Sequence, residues 1–189
     1  MKNWSVLTRG LPAAVTAEGV TVPIETDYRV GFLVGALAED PDLPEGVRMD
    51  LLLRLYCGTV PENVNREALA LALLDFYAVD PHRNRKTEGR VGEPILDFDA
   101  DGDRILASFQ QAYGIDLLAV RMHWWQFMAL LFSLPEDTVF MQTVRLRTMD
   151  LREVQDDGLR KKLRQAKGAV RLRKKGLEKG EKSIWQTEA

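Results

Sequence analysis

Hydrophobic positions are densest between Asp116 and Phe132, where the chain runs D-L-L-A-V-R-M-H-W-W-Q-F-M-A-L-L-F and holds two of its four tryptophans. At 100° per residue the polar side chains Asp116, His123 and Gln126, with small Ala119 between them, fall within about 80° of one another, and nearly everything else is apolar. The pattern predicts a buried central helix, or one whose surface another protein covers. Trp125 and Arg121 lie off the polar stripe, so each belongs either to the core or to a partner-facing surface.

Elsewhere the periodicity is easier to divide. Residues 13–24 alternate around Glu18-Gly19 and predict two short strands joined by a glycine turn, with Pro23 confining the second to an edge or to its end. Thr26 or Asp27 can cap a helix carrying Tyr28, Phe32, Leu33 and Leu37, which ends before Pro41. Val47, Leu51, Leu52 and Leu55 predict a second helix stopped by Gly58. A third begins at a Thr59-Val60-Pro61-Glu62 capping box or at its rival Asn65, and runs through Ala68–Val79 until Asp80-Pro81 breaks it. Residues 80–96 read as a mobile loop. Asp101 and Asp103 then place negative charge at the start of a helix through Ile105, Leu106, Phe109 and Tyr113, which Gly114 ends. Ser133-Leu134-Pro135-Glu136 reads as a capping box for a short helix with Val139, Phe140, Val144 and Leu146, and Asp150-Leu151-Arg152-Glu153 starts a last one. That last helix has an apolar seam at Leu159, Leu163, Ala166 and Val170, weakened by Gly158, Gly168, Gly176 and Gly180. The expected fold is mainly α: six or seven helices around a buried Trp-rich central helix, with a small N-terminal β-hairpin. Residues 1–157 form the expected helical domain, and 158–189 a basic, partly disordered helical extension.

Composition changes this picture at two points. With 189 residues and 46% hydrophobic side chains, the chain can bury a core of its own. The net charge of −2 conceals a division, since residues 1–157 carry 25 acidic and 15 basic side chains and residues 158–189 carry 3 and 11. Such a bipolar chain suits an acidic partner, whether nucleic acid, another protein or its own acidic body. The most apolar stretch still holds Asp116, Arg121, His123 and Gln126, which argues against a membrane span, and the first residues lack the pattern of a secretory signal. Cys57, the one cysteine, sits in an apolar run and reads as a buried structural thiol.

Candidate chemistry is thin. Asp97-x-Asp99-x-Asp101-Gly102 resembles the start of a calcium loop, but the twelfth position is Ser108 where a glutamate is needed and the eighth is Arg104 where an apolar residue should pack. Helix capping by a solvated acidic loop is the better reading. Asp116 and His123 share a helix face but lie about 10.5 Å apart along it, too far for a direct hydrogen bond. Zinc spacings, phosphate loops and nucleophile elbows are missing, so no metal, cofactor or catalytic residue is expected. The basic segment offers Arg160, Lys161, Lys162, Arg164, Lys167, Arg171, Arg173, Lys174 and Lys175 for electrostatic docking. Without interleaved aromatics it supports an acidic protein surface better than nucleic acid.

Three stretches carry a resemblance: Ile24-Glu25-Thr26-Asp27-Tyr28-Arg29-Val30; Phe98 through Asp103 with the Ala107-to-Leu117 run; and His123-Trp124-Trp125-Gln126-Phe127-Met128-Ala129-Leu130. From about residue 12 to about residue 170, with Arg147 and Asp150-Leu151, the chain resembles small tail-gene proteins of long-tailed phages and prophages of Gram-positive bacteria, encoded just ahead of the tape-measure protein. It departs from that pattern in the glycines of the last helix and in the long basic end. The resemblance implies a non-enzymatic tail-assembly chaperone or accessory protein that binds the tape-measure or tail-tube protein in the host cytoplasm. Arg121, His123, Trp125, Gln126 and Arg147 are the candidate interaction residues. The alternatives are a nucleic-acid-binding accessory protein acting through the basic segment and a minor structural tail protein.

Overall fold

The structure is a computed structural model describing Leu7, residues 10–78 and residues 95–172. Strands β1 (Ala14–Ala17) and β2 (Val20–Pro23) pair antiparallel, with Val15 opposite Val22 and Ala17 opposite Val20. Glu18 and Gly19 both take positive φ, 47° and 84°, as a two-residue hairpin turn requires. Alternation then buries Val15, Ala17 and Val22.

Seven α-helices follow among the described residues: α1 (Tyr28–Glu39), α2 (Glu45–Cys57), α3 (Arg66–Ala78), α4 (Phe98–Tyr113), α5 (Trp124–Phe132), α6 (Val139–Thr148) and α7 (Asp157–Ala169), with a 3-10 turn at Leu151–Glu153 before α7. The mainly helical reading, the hairpin and the Trp-rich centre are all present. Asp27 caps α1 by accepting from the Arg29 amide, and Gly58 and Gly114 end α2 and α4 with φ of 64° and 66°.

Four boundaries differ from the sequence reading, and a fifth, left open between two starts, is decided. The block 116–132 is not one helix: Asp116 accepts from the Leu118 amide and folds 116–120 into a turn, and α5 starts only at Trp124. Uniform apolarity hides such a break, because a periodic pattern cannot register where it stops. Asn65, not Thr59, begins α3, its Oδ1 accepting from the Glu67 and Ala68 amides at 3.0 and 3.3 Å. Helix α4 begins a turn earlier than expected, capped by Asp97, so Asp101 lies inside it and is fully buried. Thr138, rather than Ser133, precedes α6, and Ser133 instead ends α5. Asp150 caps only the 3-10 turn, and α7 has its own cap in Asp156. Cys57 is half-buried rather than buried, and desolvation pushes its thiol up. The loop expected at 80–96 lies, up to residue 94, outside the described residues.

Helix α5 is the centre of the core. Phe127 is stacked between Tyr28 (4.8 Å) and Phe109 (5.2 Å), Trp124 lies on Tyr77 (5.3 Å) and Trp125 on Phe76 (5.5 Å). Each indole also finds a polar partner: Trp124 Nε1 donates to the Tyr77 carbonyl at 3.0 Å and Trp125 Nε1 to the Phe76 carbonyl at 2.9 Å. Both acceptors belong to the last turn of α3, where carbonyls lack intrahelical donors, so the tryptophans cap one helix while packing against it. Among the described residues no helix is long and apolar enough to cross a membrane.

Candidate protein-interaction site

Residues 116–123 run back across the start of α1. The Tyr28 amide donates to the Met122 carbonyl at 2.9 Å and the Trp124 amide to the Thr26 carbonyl at 2.7 Å, forming an isolated antiparallel bridge between Asp27 and His123. Arg29 fastens the same junction, donating through Nη2 to the carbonyls of Leu117 (3.0 Å), Leu118 (3.3 Å) and Val120 (2.9 Å) and through Nη1 to Asp27. Arg121 pairs with Glu25 and lies 3.9 Å from Asp27. The Arg121 hydrogen bond holds the Glu25 carboxyl below its ordinary range, against a smaller opposing effect of burial.

Glu25, Asp27, Arg29, Val30, Val120 and Arg121 thereby frame a shallow depression of about 380 Å³. The segments that line it carry two exposed leucines: Leu118, 77% exposed and next to Ala119 in the chain, and Leu33, 54% exposed and one helical turn beyond Arg29 on the same face of α1. Apolar side chains beside fixed charges, on backbone held by the Tyr28–Met122 and Trp124–Thr26 bonds and by Arg29, have the makings of a rigid docking surface.

The five residues singled out from sequence divide sharply. Arg121 belongs to this depression, and Gln126 is exposed on the first turn of α5. Trp125 is a core side chain, 4% exposed, and presents no surface. His123 is not on a helix face with Asp116 but is the cap of α5: its Nδ1 accepts from the Trp125 amide at 3.0 Å, so Nε2 carries the proton and donates to the Pro12 carbonyl at 2.9 Å. Both nitrogens are committed, and burial pulls the ring's pKa down despite the Pro12 contact. Arg147 is also internal. It forms a two-pronged pair with buried Asp101, at 2.6 and 2.8 Å, and donates to the carbonyls of Ile95 (3.0 Å) and Val170 (2.7 Å). A cleft of about 600 Å³ adjoins this pair, bordered by Asp97, Asp99, Arg104 and residues 169–172.

Of the nine basic docking residues, Arg173, Lys174 and Lys175 lie outside the described residues. Arg160 spends its guanidinium on the Val154 carbonyl and Asp157, and Lys167 bonds the Met149 carbonyl at 2.8 Å. Lys161, Lys162 and Arg164 are exposed on α7, and Arg171 is exposed beside the cleft. The acidic run that suggested a calcium loop is the first turns of α4, with Asp97 capping and Asp101 paired to Arg147 and Arg104. Among the described residues no three His, Cys, Asp or Glu side chains are grouped to hold a metal.

Sequence reasoning missed Leu33, Leu118, Glu25 and Arg29 as surface groups. Only the break at 116–123, for which Asp116 before Leu117-Leu118 is a weak turn signal, could have moved Leu118 outward.

A family model described as Bacteriophage Gp15 protein matches residues 7–172. No curated protein and no solved structure matches the chain.

Proposed function

The chain belongs to the bacteriophage Gp15 protein family, and from that premise we propose that it serves tail assembly as a non-enzymatic chaperone or accessory protein. It binds the tape-measure or tail-tube protein in the host cytoplasm before the tail is built. The observation that carries this reading is the pair of exposed leucines, Leu33 and Leu118, carried by the same two segments that line a depression whose charged groups pair with each other and with backbone. A long helical protein awaiting its sheath must have its repeating apolar positions covered, and a helix laid in such a surface is held by spaced apolar anchors. The groups best suited to chemistry are occupied otherwise: His123 caps a helix and Asp101 neutralises Arg147.

The test is capture of partners by the tagged protein from cells expressing the phage tail genes, washed at low and high salt. The expected result is recovery of the tape-measure or tube protein at high salt, with loss of it in Leu118→Asp. Binding of the purified pair should show a negative heat-capacity change. Recovery of nucleic acid alone, lost at high salt, would overturn the reading. That second reading, an accessory protein gripping nucleic acid through α7, is favoured by exposed Lys161, Lys162 and Arg164. Finding the chain in purified particles would instead make it a structural tail component.

A further inference from the structure

Charge is distributed unevenly over the described residues. Residues 139–172 carry nine basic and four acidic side chains, whereas the described residues before them carry six and 18. In that earlier part Arg29 and Arg48 are engaged by backbone carbonyls, and Arg66 and Arg121 by carboxylates. Lys161, Lys162 and Arg164 on α7 differ: all three are exposed, and their side chains make no hydrogen bond or ion pair to any described residue. At 100° per residue Lys161 and Arg164 stand about 60° apart, on the side of α7 directly away from its half-buried seam of Leu163, Ala166 and Val170. Lys162 stands at the edge of that side. Gly168 falls between Lys161 and Arg164 one turn further on, exposed and without a side chain to project. Asp157 shares the same side, but its carboxylate already accepts from Arg160 at 2.6 Å.

The cluster is basic but short. Residues 161 to 164 span about 4.5 Å of helix axis, and the side continues through Gln165 and Gly168 without charge. A nucleic-acid duplex is a long polyanion, and a firm grip on it engages about 6–10 phosphates. Three cations fall short of that number, and a duplex running on past them would meet a body whose earlier residues are strongly acidic. Helix α7 also holds no aromatic side chain on which bases could stack. A few carboxylates on one protein segment meet none of these objections, because their charge ends where the cluster ends. We propose that the outer side of α7 docks an acidic helix of a partner protein, whose carboxylates one turn apart meet Lys161 and Arg164 and whose backbone comes close over Gly168. Lys162 serves the edge of the contact. This surface is distinct from the depression framed by Glu25 and Arg121, which is built on α1 and residues 119–121. It does not rest on the tail-assembly reading.

The experiment is a titration of the full nitrogen-15-labelled chain with a synthetic helical peptide bearing glutamates on successive turns, followed through the backbone amide signals. Saturable shifts should concentrate at Lys161, Arg164, Gln165 and Gly168. The apparent affinity should fall at least about tenfold between about 50 mM and about 1 M salt, as screening shortens the reach of charge to about 3 Å. The same peptide with glutamine at those positions should leave the spectrum unchanged. Lys161→Glu/Arg164→Glu, checked for native helix content by circular dichroism, should abolish the shifts, and the milder Lys161→Gln/Arg164→Gln should weaken binding several-fold. Arg173→Gln/Lys174→Gln/Lys175→Gln should keep them. An unchanged spectrum with the glutamate peptide at low salt overturns the proposal, as do shifts that survive Lys161→Glu/Arg164→Glu or that vanish when residues 173–175 are altered. If a duplex of about 20 base pairs produces the same shifts at lower concentration than the peptide, α7 serves nucleic acid and the proposal likewise fails.

Discussion

Arg147 and Asp101 show how much one pair of side chains can hold. The guanidinium is 6% exposed and the carboxylate fully buried; beyond each other, the guanidinium donates to the carbonyls of Ile95 and Val170, and the carboxylate accepts from Arg104 and the Asp97 amide. Removing Arg147 leaves the buried carboxylate with only Arg104 and the Asp97 amide, so the cost falls at or below the roughly 3–5 kcal/mol of a fully stranded buried charge. Arg147→Met should therefore lower the unfolding free energy by up to about that amount, read as a fall in the denaturant midpoint at unchanged slope. Arg147→Lys should not restore it, because an ammonium cannot make the two-pronged contact and reach two carbonyls. His123 makes a smaller, titratable contribution. Its pKa is lowered in the folded chain from the ordinary 6.5, chiefly by burial, so the native state keeps the ring neutral and the unfolded state takes up the proton first. Stability should be intact above about pH 6.5 and fall as pH drops through the interval below it. Protonating Nδ1 also abolishes its acceptance from the Trp125 amide. In His123→Asn, which keeps a capping acceptor but does not titrate, the loss of stability between about pH 6.5 and 5.5 should shrink, as urea titrations at several pH values would show.

At the scale of the element, the close approach of α1 to α5 sets the tightest constraint. A Cβ at Gly31 would stand 2.3 Å from the Trp124 ring, whereas one at Gly35 would meet only the hydroxyl end of Tyr77 at 2.9 Å. Gly31→Ala should cost about 1–3 kcal/mol and alter the near-ultraviolet signal of the tryptophans, with Gly35→Ala costing less. Asn65→Ala should remove about 1 kcal/mol through the lost cap of α3, while Thr59→Ala should change nothing measurable. These contrasts mark what was legible in the sequence. Glu18-Gly19, Asp27, Gly58 and Gly114 act through their own backbone or its nearest neighbours, and each could be read directly. The competing caps Thr59 and Asn65 could not be ranked, because the choice depends on where α3 meets the hairpin and α5. The break at 116–123 showed in sequence only as the weak turn signal of Asp116, for a different reason: the bridge that replaces helix there is made with Thr26 and Tyr28, about a hundred residues away. Arg147 was noticed but misplaced, since its partner Asp101 looks in sequence like one more solvated acid.

The whole molecule is held unevenly, and the unevenness follows from what each helix buries. Helix α5 contributes Trp124, Trp125, Phe127 and Leu131 to the core, and its aromatic stacks reach α1, α3 and α4. Loosening it requires separating all of those at once, so its amides should exchange only through global unfolding. Helix α7 contributes no buried residue of its own and is held mainly by Arg160, Lys167 and Arg147 bonded to carbonyls. Detaching it exposes little apolar surface and lets each of those groups exchange one hydrogen-bond partner for water, a process worth far less than the global free energy. Hydrogen exchange should consequently find α7 amides open at least about tenfold more often than those of α5, a gap of 1.4 kcal/mol or more. Equal protection would mean that α7 is integral to the core and that its polar tethers are incidental.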